Sequence, residues 1–363
     1  MSTVVTAADA AHFLSLVPHL LGYTPTRSLV LVPMASGRSL GAMRVDLPAA
    51  HVDPDAAASS MIGLVCRISG ADAVVAVAYT PARIARGLPT ARLIAAIERS
   101  ADACGIAVSD ALTVAANGWG SHFDRDLPPG GRPLADLTVR TAPPPGDQTF
   151  GADLPEVAPA ALESVEAAMT SLESSLAVLC GIPGLGRIDR VDPAALEAAC
   201  ALDDLPTFYE DALRWDATAI DPMRAALMAW CLARPSLRDI GVVQWSSDQA
   251  GGELAARAQL RWEEGEEYPP DLACVMWGEG SRPDPDRLDA ALALVREVAA
   301  RSPERLRAGA LATAAWLSWA LGRSTHADRY ADQAEALDPK NGLAEIVRSF
   351  VRHSHLPDWA FER

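Results

Sequence analysis

The chain has 363 residues, half of them hydrophobic and only 6% aromatic, which is enough for two domains with cores of their own. Its formal net charge of −16 argues against nucleic acid and anionic lipid as partners. Of the 31 basic residues one is a lysine, Lys340, in the turn-like stretch Asp338-Pro339-Lys340-Asn341-Gly342, so a Schiff-base lysine or a P-loop lysine has no place to sit.

The charge is uneven. Residues 1–147 hold 12 acidic and 11 basic side chains, whereas the remainder holds 35 and 20. Alanine dominates the apolar set, which favours helices that approach one another closely. Cys66, Cys104, Cys180, Cys200, Cys231 and Cys274 are too scattered for a zinc-type spacing and read as buried thiols of a reducing compartment. The N-terminus lacks a basic stretch followed by an apolar one, and no run of 18 apolar residues occurs, so a cytoplasmic protein without a membrane span is expected.

Taken in chain order, Thr6 with Asp9 reads as a capping box for a helix over 7–21, closed by Gly22. Ser28 to Met34 and Leu40 to Leu47 read as a β-hairpin turning at Ser36-Gly37-Arg38. Asp53-Pro54 starts a helix to about Ser69, and Ala73 to Tyr79 is a strand. A helix over 89–104 and a strand over 108–116 follow, and Asn117-Gly118 turns into a short return strand, Trp119 to Phe123. The pattern predicts a mixed α/β domain over 1–123. Residues 124–152, with Pro128-Pro129-Gly130-Gly131 and Pro143-Pro144-Pro145-Gly146, read as a Pro/Gly-rich linker.

An all-α domain is expected over 153–363. Its helices are predicted at 156–180, 193–201, 204–216, 221–233, 236–246, 248–262, 286–300, 304–321, 324–337 and 342–353, with an acidic loop over 263–285. Residues 308–341 fit one tetratricopeptide-like helix pair, with Ala315, Ala327 and Ala334 where such a pair packs and Gly322 at its turn.

Few motifs carry chemistry. Gly181, Gly184 and Gly186 form a glycine-rich stretch, but a helix precedes it and the spacing differs from a dinucleotide fingerprint. His12 and His19 share a helix face and would need Asp46 or His51 to complete a metal site; surface or partly buried histidines are the plainer reading, and no metal or cofactor is expected. Arg44 and Asp46 share one face of their strand and either line a cleft or solvate the hairpin's outer face. With Tyr23, Ser28 and Trp119 they are the candidate ligand-binding residues. Trp262 beside Glu263, Glu264, Glu266 and Glu267 is the candidate partner-binding cluster, suited to a basic or Arg-rich segment.

Val17-Pro18-His19-Leu20-Leu21-Gly22-Tyr23 with Pro25, then Ser28-Leu29-Val30 and Arg44-Val45-Asp46-Leu47-Pro48, resemble an actinobacterial family known as domain of unknown function 4192. Asn117-Gly118-Trp119 is similar to a Gly-Arg-Trp-Trp segment of that family, with Gly120 in place of the second tryptophan, and Arg238-Asp239 and Leu337-Asp338-Pro339 extend the likeness into the helical half. The resemblance implies ancestry and fold, and no activity. With no nucleophile–base pair in view, the expected function is a non-enzymatic interaction or regulatory protein with an acidic helical partner surface. The alternative is a hydrolase with its site at the strand ends around Tyr23, Ser28, Arg44 and Asp46.

Overall fold

The computed structural model describes residue 7 and residues 9–137, 142–181 and 191–362. The chain divides into two compact units, 1–150 and 151–363.

The first unit is a mixed sheet covered on both faces. Helix α1 (Ala10–Leu21) precedes β1 (Ser28–Ala35), β2 (Arg38–Ser39) and β3 (Met43–Asp46). Then come α2 (Pro54–Cys66), β4 (Ala73–Tyr79), α3 (Ala91–Ala103), β5 (Ala107–Ala115) and β6 (Gly118–Ser121). The strand order is β2-β1-β4-β5-β6, with β3 also paired to β1. Only β4 and β5 are parallel; the other pairs are antiparallel.

Alternation of side chains along the strands sorts the core into two layers. Leu29, Leu31, Val74, Ala76 and Ala78 pack under α2 and α3. Val30, Val32, Val75, Val77, Tyr79 and Leu112 pack under α1. The registers Trp119↔Val114, Val114↔Tyr79, Tyr79↔Ser28 and Ser28↔Asp46 set these five residues in one row across the face that carries α1.

Local chemistry explains the ends of these elements. Asp9 itself caps α1, accepting from the His12 N–H at 2.8 Å, so the cap falls one turn later than the expected Thr6, which lies outside the described residues. The expected second hairpin strand is split. Ser36 and Gly37 take positive φ and turn the chain, as a two-residue hairpin requires, but Gly41 at φ 134° then takes the backbone out of the ladder before Met43 re-enters it. Residues 124–137 and 142–150 are tied to the first unit: Arg132 and Trp119 exchange backbone hydrogen bonds, and Thr24 N–H donates to the Gly146 carbonyl.

The second unit is helical. It comprises α4 (Pro159–Leu179), α5 (Pro193–Cys200), α6 (Leu205–Ala212), α7 (Pro222–Leu232), α8 (Pro235–Ser246), α9 (Gln249–Glu263), α10 (Pro270–Ala273), α11 (Pro285–Arg301), α12 (Glu304–Ala320), α13 (Ser324–Leu337) and α14 (Gly342–Arg352). Several begin with an Asp cap followed by proline, as at Asp192, Asp221 and Asp284. The expected 263–285 loop is partly helical: Pro269-Pro270 starts α10, which passes into a 3₁₀ turn over Cys274–Trp277. The Gly184–Gly186 part of the glycine-rich stretch lies outside the described residues.

Helix α12 is the centre of this unit: every residue from Ala308 to Ala320 is buried. Helices α7, α8, α11, α13 and α14 all pack against it. Ala315, Ala327 and Ala334 are fully buried, and Gly322 turns between α12 and α13 with φ 76°.

The cysteines depart from expectation. Cys231 is buried and Cys274 half-buried, but Cys66, Cys104, Cys180 and Cys200 are exposed. These four occupy the last residue or the C-cap of α2, α3, α4 and α5, where the final turn leaves the core.

The closest helix contact is testable. A Cβ at Gly309 would stand 2.2 Å from the Leu232 carbonyl oxygen and 2.7 Å from Ala233 Cα. Both are backbone atoms of the α7 end, which cannot swing aside. Gly309→Ala is therefore expected to cost about 1–3 kcal/mol of stability, read as a lowered denaturation midpoint. An unchanged midpoint would contradict this packing.

Candidate functional site

The carboxyl ends of β4 and β5 open into a cavity of about 570 Å³. Strand ends of a parallel pair are where open α/β sheets place their ligands. Tyr79-Thr80-Pro81 and Val114-Ala115-Ala116 form its floor; Leu14, Ser15 and Pro18 of α1 stand on one side, and the 24–27 loop on another. The lining is mostly aliphatic. The volume falls within the range of about 300–1,000 Å³ typical of small-molecule sites.

Tyr79 is the exceptional member. It is only 8% exposed, and its hydroxyl is buried with no hydrogen-bond partner among the described residues. Burial pushes its pKa up, so the phenol stays protonated. A buried hydroxyl left unpaired costs about 1–3 kcal/mol, and few native groups are left so.

Beside the cavity, on the same sheet face, the structure brings together four of the candidate residues. Ser28 Oγ donates to the Thr26 carbonyl at 2.7 Å and accepts from Arg44 Nε at 2.6 Å. Arg44 also meets Asp46 Oδ1 at 2.5 Å; the Arg44 side chain is 9% exposed, that of Asp46 81%. Tyr23 lies near both: burial raises its pKa, Arg44 lowers it and Asp46 raises it. Next to them Thr26 Oγ1 meets Asp147 and Gln148 at 3.3 and 3.2 Å. Hydrogen bonds from Thr149 hold the Asp147 pKa down. The Ser28 hydroxyl thus carries a guanidinium on one side and gives its proton to a carbonyl on the other. It has the partners of a structural hydroxyl, not those of a nucleophile aligned with a base.

Trp119 sits in the same row two strands from Tyr79, but it does not line the cavity. Its indole N–H donates to the Pro133 carbonyl at 3.1 Å, and Arg132 stands 5.7 Å from its ring centre. Among the described residues no three His, Cys, Asp or Glu side chains converge in a way that would hold a metal ion. In the helical unit Trp262 is 54% exposed on the last turn of α9. Glu263, Glu264, Glu266 and Glu267 around it are exposed as well. Arg261 is 3.8 Å from Glu266, and Gln259 donates to Glu263 at 3.0 Å.

Sequence reasoning missed Tyr79. Its signal was present: one hydroxyl ends a strand otherwise made of alanine and valine. A second missed group is His122, whose Nε2 lies 2.9 Å from Thr113 Oγ1, itself 2.6 Å from Thr90 Oγ1. Burial lowers the His122 pKa to about 4, with Asp110 opposing. The folded protein therefore binds fewer protons than the unfolded chain between about pH 4 and 6.5, and stability falls as pH drops through that window. Discounted for the ring's partial exposure, the loss is about 1–2 kcal/mol. A His122 ring titration followed by NMR is expected to centre near 4, and His122→Gln should remove this part of the pH dependence. A midpoint at the ordinary histidine value would contradict the burial.

No curated protein and no solved structure matches this chain. Residues 11–358 match the family described as a domain of unknown function, DUF4192, and the chain belongs to that family.

Proposed function

We propose that this protein is a non-enzymatic regulatory protein whose first unit binds a small molecule and whose helical unit presents an acidic surface to a basic protein partner. The cavity at the ends of β4 and β5, of a size typical of small-molecule sites and mostly aliphatic in its lining, carries the ligand half of this reading. The engaged Ser28 hydroxyl supports binding without chemistry.

The partner half rests on the end of α9. A helix C-terminus carries partial negative charge, so four glutamates on and just beyond its last turn are held at an electrostatic cost. An arginine-rich segment would relieve that cost and stack on Trp262. Replacing Glu263, Glu264, Glu266 and Glu267 with glutamine is expected to raise the stability of the free protein by a few tenths to about 1 kcal/mol. The same variant should weaken binding of a synthetic arginine-rich peptide and flatten its salt dependence, since exposed charges are screened beyond about 8 Å at physiological ionic strength. A control with the same change at the exposed Glu156, Glu163, Glu197 and Glu253 should bind the peptide like the parent. Equal loss in both variants would reduce the contact to net charge and remove the α9 end as a partner surface.

A further inference from the structure

We propose that Cys66 and Cys104 are a redox-active pair, which exchange with a small-molecule disulfide closes into an intramolecular bond tying α2 to α3.

The packing of the two helices brings the sulfurs together. Both lie over one sheet face, α2 through Ala58, Ile62 and Val65 and α3 through Leu93, Ile94 and Ile97. Their flanks meet: Arg99 reaches Asp55 at 2.5 Å, and Ser59 Oγ stands 3.5 Å from Ser100 Oγ. At the far end Cys66 is the last residue of α2 and Cys104 the C-cap of α3, and the two thiols share a hydrogen bond. A disulfide fails where the backbone holds its sulfurs apart; here the fold has already joined them.

Access and reactivity fit the same role. Both cysteines are exposed, so a small disulfide can reach them. Cys231, by contrast, is buried, and desolvation pushes its thiol up to about 12, which leaves it inert. Burial first, and then the contact with Cys104, raises the Cys66 pKa, so the pair rests as two thiols.

The chemistry balances without a metal or a further cofactor. One cysteine thiolate attacks a sulfur of the small disulfide and expels a small thiolate. The second cysteine thiolate then attacks the protein sulfur of that mixed disulfide and expels the other. Two electrons pass from the cysteine sulfurs to the small molecule, which leaves as two thiols carrying the two protons. The pair sits where α2 and α3 lead into the amino ends of β4 and β5, whereas the cavity opens at their carboxyl ends. The bond therefore braces the first unit without entering the cavity, and it does not depend on what the cavity holds.

The experiment is incubation of the folded full chain with oxidised glutathione, quenching by alkylation, and peptide mapping by mass spectrometry. A Cys66–Cys104 cross-link is expected, reversed by dithiothreitol. Cys66→Ser and Cys104→Ser should each stop at the glutathione mixed disulfide on the cysteine that remains. In the unfolded chain 37 residues separate the two sulfurs, so the folded protein should form the cross-link at least about tenfold faster than the same chain in denaturant. Persistent glutathione on both Cys66 and Cys104 of the parent, with no cross-link, would overturn the proposal. So would a cross-link that forms no faster in the folded protein, because the native packing would then not be its cause.

Discussion

One helix has to cover a sheet face wider than itself. The α1 face of the first unit runs across five strands, about 19 Å at the usual strand spacing, whereas a helix with its side chains is about 10–12 Å across. Leu14 and Val17 of α1 seal the middle, over Val30, Val32, Val75 and Val77. Leu137 closes part of one side. At the carboxyl ends of β4 and β5 the wall is completed by the 24–27 loop and by Ala142 and Pro143. Short, proline-rich backbone of that kind cannot reach down to fill the space. Among the described residues α1 is the one α-helix packed on this face, and the cavity opens at the strand ends it does not cover.

The helical unit solves the opposite problem. Its central helix α12 is apolar on all sides, as a helix buried on all sides must be. Much of its surface is alanine, which lets neighbouring backbones come close but contributes little burial for each residue. Tryptophans supply the missing volume, and each brings an N–H that has to be satisfied. Trp316 donates to the Met276 carbonyl, Trp319 to that of His355, and Trp359 to that of Ala320. The three bonds fasten the 3₁₀ turn after α10 and the C-terminal stretch to the core helix. Segments that would otherwise be loose connections become part of the packing. Their backbone carbonyls are what make a tryptophan-rich, alanine-rich core satisfiable.

Much of this architecture was readable from the sequence because punctuation and periodicity are local. Asp-Pro pairs mark helix starts at Asp53, Asp192 and Asp221, and the structure puts caps at each; the like pair Asp338-Pro339 starts no helix, since Asp338 ends α13 and Asn341 caps α14. Runs such as Ala73 to Tyr79 can only be buried strands between two covered faces. The errors fall where local signals are outvoted. Gly41 breaks a strand that hydrophobicity alone would continue. Four cysteines counted as core lie at helix ends, since apolar neighbours along the chain do not say which way the last turn faces. The site was harder to read, because row membership depends on register. Ser28, Asp46 and Trp119 share a face through pairings between strands far apart in sequence, and no spacing in the chain announces that Tyr79 stands at the centre of the row.

Whether a polar group is paired separates the members of that row from one another. Arg44, Asp46 and Ser28 look, by residue type, like the chemistry of the face, yet Arg44 and Ser28 are buried and bonded to each other, to Asp46 and to the Thr26 carbonyl, and Asp46 is turned largely to solvent. Such a network fixes β3 against β1 and holds the 24–27 loop in place. Recruiting it for a ligand would first require breaking bonds already made. Trp119 is committed in the same way, through Pro133. Tyr79 carries less obvious chemistry than any of these, but it is the one whose hydroxyl is both dehydrated and unpaired. Folding has stripped water from that oxygen and supplied no partner among the described residues, so the phenol is held at an energetic cost. The network and the phenol therefore differ in kind: the first ties β3 and the 24–27 loop to β1 beside the cavity, and the second is a buried hydroxyl without a partner among the described residues.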